Sequence, residues 1–74
     1  MSMSIDSMEN KQREVEYRNQ RISDLQDQWV DTHATYSKAR KDGDLESRAL
    51  AIEQMAMTRS IWLAHTALIA EIQR

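Results

Sequence analysis

An all-α fold, an antiparallel two-helix hairpin dimerising into a four-helix bundle, is the architecture this sequence predicts, and three observations predict it. Apolar residues recur every seventh position in Met8, Val15, Ile22, Trp29 and Tyr36, the repeat of a helix with one packed seam. The chain has no proline, and its one glycine is Gly43, which leaves one natural place for a turn. Beyond Gly43 the chain is apolar around more of its helical circumference than the ~100° arc that one neighbour buries.

The first helix is expected from Asp6 to Lys41. Asp6 would cap the free amides, and Glu9, three residues on, would complete a capping-box-like pair, leaving residues 1–5 frayed. Asp42, Gly43 and Asp44 read as the turn, with Gly43 in the left-handed C′ conformation and Asp44 capping the next helix. The second helix follows over 45–72 without a breaker. At 1.5 Å per residue the arms would be about 54 and 45 Å long, and 6–74 form a single helical-hairpin domain.

A tight turn also sets a register, because residues equidistant from Gly43 lie level. Tyr36 then faces Leu50, Trp29 faces Met57, Ile22 faces Ala64, and Val15 lies near Glu71. Near the turn, Leu25, Val30, Ala34 and Ala39 broaden the stripe of the first helix. Toward the open end the balance fails. The first helix offers only Met8 and Val15 there, against Ile61, Trp62, Leu63, Ala64, Ala67, Leu68, Ile69 and Ile72 on the second. The polar strip of the second helix is Glu46, Glu53, Ser60 and Glu71. A helix apolar over most of its surface is ordinarily buried, so Trp62, Ile61, Leu68, Ile69, Ile72, Tyr17 and His65 are the expected partner or oligomer interface. A further column, Gln12, Asn19, Gln26 and His33, reads as the wetted flank of the first stripe; its alternative is a register-fixing polar layer.

Composition narrows the function. At 74 residues and 8.7 kDa a two-helix chain encloses little core, so partners are expected to supply the rest. There are no cysteines, which excludes a disulfide framework and a cysteine-ligated metal site. Residues Met1 to Asp6 lack the basic and apolar regions of a signal peptide, and no segment approaches the roughly 20 apolar residues of a membrane span. A soluble, cytoplasmic protein with no membrane partner is the expectation. Net charge is −2, so no global field draws the molecule to nucleic acid. Lys38, Arg40 and Lys41 close the first helix, where cations interact favourably with its dipole.

No pattern carries chemistry. His33 and His65 do not converge within one chain, and no Glu-x-x-His or His-Glu-x-x-His spacing occurs, so neither a metal nor another cofactor is expected. Ser60, Thr58 and His65 share a stretch without a glycine-rich turn to form an oxyanion pocket, and Glu14 and Glu16 split across helix faces. No catalytic residue is assigned, and the protein is not expected to be an enzyme. Arg59 is the anomaly, a charge in the apolar arc near Ile52 and Trp62. The register places Asp27 level with it, so an Arg59–Asp27 ion pair is expected.

The function expected is that of a small helical protein acting by protein–protein binding: an adaptor, a chaperone-like protein, or a phage-type stoichiometric inhibitor of a larger protein. The alternative is a nucleic-acid-associated regulator that doubles Lys11, Arg13, Arg18 and Arg21, or Lys38, Arg40 and Lys41, across a dimer. Against it, Glu14, Glu16, Asp42 and Asp44 alternate with those cations, and no recognition helix is visible.

Overall fold

The computed structural model describes the backbone of residues 3–74 and the side chains of residues 7–74. Two helices, α1 (Met3–Asp42) and α2 (Leu45–Ile72), account for nearly all of it and lie antiparallel against each other. The molecule is a rod of 64 × 15 × 13 Å with a radius of gyration of 17.5 Å, against about 11 Å for a compact domain of this length. α1 begins at Met3, so Asp6 lies inside the helix instead of capping it. Nothing in this stretch breaks a helix. Of the five residues expected to fray, 1 and 2 lie outside the described residues.

The turn follows from its three residues. Gly43 has φ +73°, and the amides of Gly43 and Asp44 reach back to the carbonyls of Arg40 and Ala39 at 3.4 and 2.9 Å. That is the paired hydrogen bonding of a Schellman C-cap. A Cβ on Gly43 would meet nothing within 4 Å, so the backbone angle alone selects glycine. Gly43→Ala is expected to destabilise by roughly 1–2 kcal/mol, the left-handed penalty of an L-residue, in urea unfolding followed by circular dichroism. Gly43→Asn should recover part of that loss.

Asp44 caps α2. Its carboxylate accepts from the Ser47 amide at 3.1 Å and from the Ser47 hydroxyl at 2.7 Å. The hydroxyl bond, then the amide bond, hold the Asp44 carboxyl below its ordinary value of 3.8. A carboxyl depressed on folding stabilises the fold fully above that ordinary value, and the contribution is lost as pH falls through the lowered one. Asp44→Ala should therefore lower the melting temperature at neutral pH. Asp44→Asn should keep most of the cap while flattening the fall in stability below pH 3.8.

The two helices meet along one seam. Leaving aside Arg21, Asp24 and Ser47 at its margins, the buried and half-buried positions of α1 are Val15, Arg18, Ile22, Leu25, Trp29, Thr32, Tyr36 and Ala39. Those of α2, apart from Ser47, are Arg48, Ala51, Met55, Thr58, Trp62, His65, Ile69 and Ile72. Both sets alternate steps of three and four residues, the spacing of a two-stranded coiled coil. Near the turn the seam closes on small residues, with Ala39 5% and Ala51 2% exposed. Toward the middle it widens to take Trp29 and Trp62, whose rings sit edge to face at 6.3 Å.

Contacts across the seam join residues at unequal distances from Gly43, Trp29 with Trp62 and Arg18 with His65, and the residues turned inward differ from those expected. Leu50, Met57 and Ala64 are exposed, and Ala51, Thr58 and His65, one position further along, face α1. Val30 and Ala34 also stay outside the seam. Met8, the first member of the apolar column, is exposed because α2 ends before reaching it.

Candidate interaction surface

The seam at the open end is polar as well as apolar. Arg18 occupies a seam position between Val15 and Ile22, and its guanidinium donates to Glu14 at 2.8 and 3.2 Å. It also donates to His65 Nδ1 at 3.1 Å; a guanidinium only donates, so Nδ1 accepts in this contact. Tyr17 lies edge-on to the His65 ring at 6.5 Å. Four polar side chains thus close an end of the hairpin that Val15 alone would leave thinly packed. His33 stacks flat on Trp29 at 5.1 Å and tilts against Tyr36, which accounts for one member of the amide column as a flank of the seam.

The expected interface residues divide between two faces. Trp62, His65, Ile69 and Ile72 turn inward and pack on α1. Ile61, Leu68 and Tyr17 stay outside, at 44%, 43% and 60% exposure. Ile61 and Leu68 belong to a line that composition alone hides. Leu50, Gln54, Met57, Ile61, Ala64 and Leu68 are spaced by four and three in turn, a second complete heptad seam about 100° around α2 from the first. Among the described residues neither helix covers it, though Arg21, Gln28 and Asp31 of α1 border it beside Gln54, Met57 and Ile61. On the other flank, Ile52, Ala56 and Arg59 line an apolar groove floored by Trp29, Met55 and Trp62.

Arg59 and Asp27 do not pair. Both are exposed, and the ion pairs found among the described residues are Arg13–Glu9, Arg18–Glu14, Arg21–Asp24 and Arg74–Glu71. Asp27 falls midway between the seam residues Leu25 and Trp29, on the side of α1 directly opposite α2. Arg59 instead lies along the edge of the groove with its residue open to solvent, where an aliphatic stem covers apolar surface while the head stays wet. A double-mutant cycle of Arg59→Met and Asp27→Leu is expected to be additive to within about 0.5 kcal/mol. A larger coupling would mean that the ions meet.

No group of three or more histidine, cysteine, aspartate or glutamate side chains among the described residues is placed to hold a metal ion. No helix among them is long and apolar enough to cross a membrane. Three of the four arginines and lysines of the early basic cluster, Arg13, Arg18 and Arg21, lie within 4.0 Å of a carboxylate on their own helix. Comparison with protein families, with curated protein sequences and with solved structures finds no match to this chain.

Proposed function

We propose that this chain is a small non-enzymatic interaction protein that works as a homodimer, an antiparallel four-helix bundle, and binds a larger protein stoichiometrically as an adaptor, a chaperone-like protein or an inhibitor. The observation that carries this reading is the apolar surface α2 leaves open. The chain exposes 5897 Å², where a compact monomer of 8.7 kDa exposes roughly 4,700 Å² by the usual scaling. Among the described side chains, seven of the ten large exposed apolar residues lie on α2: Leu45, Leu50, Ile52, Met57, Ile61, Leu63 and Leu68. A row of large exposed apolar side chains on one helix is characteristic of protein interfaces. A cytoplasmic setting belongs to the same proposal, and the absence of cysteine agrees with it.

Two faces of α2 give the dimer and the outside partner separate surfaces. The Ile52–Ala56–Arg59 groove, with Trp62 in its floor, offers an aromatic anchor site beside an exposed cation, the make-up of an interface hot spot. The test is a pull-down from the native host with mass spectrometry, followed by titration of the purified candidate against the purified chain. A saturable complex of fixed stoichiometry that Ile52→Asp weakens, with the dimer intact, supports the reading. A catalytic turnover, or duplex binding with a steep salt dependence, overturns it. Nucleic-acid binding is the weaker reading because Arg13, Arg18 and Arg21 already have carboxylate neighbours.

A further inference from the structure

We infer that the dimer forms through α2 alone: the face carrying Leu50, Met57, Ile61, Ala64 and Leu68 packs antiparallel against the same face of a second copy, with the two α1 helices outside. This rests on the proposed self-association and specifies its surface and direction. Three lines of argument support it.

The first is exposure. Along this face of α2, Leu50, Met57, Ile61 and Leu68 stand open at 54%, 66%, 44% and 43%, a continuous apolar row of the kind that protein interfaces bury. The second is the character of the available partners. A two-fold dimer buries a self-complementary patch, and α1 has no matching one. Of its outward positions alongside the seam, one flank carries Tyr17 among Arg21, Asp24, Gln28 and Asp31, and the other carries Val30 among polar residues, so each holds a single large apolar side chain among the described residues. An apolar heptad seam on α2 therefore finds its like only on the α2 of another copy.

The third is direction. In parallel pairing each seam residue meets itself, so Ala64 faces Ala64 across a void. In antiparallel pairing Leu50 meets Leu68, Met57 meets Ile61, and small Ala64 meets the longer Gln54. Opposed helix dipoles add to the same preference.

The chain has no native cysteine, so engineered cysteines report the pairing directly. Leu50→Cys and Leu68→Cys, refolded together and oxidised, should give a crosslinked dimer in high yield, and each variant alone should not. Identical positions would lie about 27 Å apart in the antiparallel dimer, beyond the ~7 Å limit for a disulfide. Sedimentation of Ile61→Asp should show a dissociation constant raised about 100-fold or more, because two unpaired carboxylates would be buried at one seam, with helicity retained. Leu63→Asp, outside the seam, should leave the dimer intact. Efficient crosslinking of Leu68→Cys alone would overturn the antiparallel direction, and a dimer that survives Ile61→Asp would overturn the surface while leaving self-association standing. An unmodified chain that stays monomeric at high micromolar concentration would overturn both this inference and the self-association beneath it.

Discussion

Leu25→Ala is expected to lower stability by about 2–5 kcal/mol, the range for truncating a buried leucine where the surroundings collapse only in part. Leu25 is 3% exposed and is the one large side chain among the buried residues of the described part, the others being Ala39 and Ala51. A domain of this length has a total stability of roughly 4–11 kcal/mol at the usual value per residue, so this one side chain accounts for a large share of it. Its position explains the sensitivity. Leu25 lies one seam step before Trp29 and one after Ile22, at mid-length, where neither the turn nor the polar cluster at Arg18 and His65 can compensate. Urea unfolding at several protein concentrations is the measurement, because assembly would add a concentration dependence to the midpoint. Leu25→Met, which keeps the volume, should cost less than about 1.5 kcal/mol. An unchanged midpoint in Leu25→Ala would show that the arms do not pack at this position.

The hairpin was legible because its signals are local. Gly43 and Asp44 encode the left-handed cap and the N-cap through backbone chemistry that no distant contact overrides, and the absence of proline lets both helices run on. Half of the α1 seam was equally plain in the column from Val15 to Tyr36. The other half, Arg18, Leu25, Thr32 and Ala39, keeps the same spacing; Leu25 and Ala39 were readable as part of the broadened stripe, whereas Arg18 and Thr32 were not, because hydrophobicity alone does not register polar seam residues. On α2 the difficulty is the reverse. So many positions are apolar that hydrophobicity cannot say which arc faces α1. Size and register decide instead: Ala51 fits against the closely approaching Ala39 end of α1, and the larger Leu50 is left outside. The expected Arg59–Asp27 pair failed for a related reason. The direction in which a side chain projects is fixed by the seam, and Asp27 projects away from it. The second heptad on α2 was visible as excess apolar surface and became a surface with a direction only once the first seam had been assigned.

Trp62→Ala is expected to cost about 3 kcal/mol, the lower end of the range for buried aromatic residues, because the ring is half-buried. It packs edge to face on Trp29 at 6.3 Å, and pairs of that geometry couple by ~0.5–1.5 kcal/mol beyond the area they bury. A double-mutant cycle with Trp29→Ala should return a coupling in that range. The ring also floors the groove bounded by Ile52 and Arg59, so truncation removes an anchor for an outside partner as well as a seam contact. Trp62→Phe separates the two roles: it restores much of the apolar volume on the seam but shortens the edge presented to the groove. If stability returns with phenylalanine while binding of the outside partner stays weak, the indole serves both neighbours. If Trp62→Ala keeps its melting temperature and only partner binding is lost, the ring contributes nothing to the seam, and the Trp29–Trp62 contact is not what holds the middle of the hairpin together.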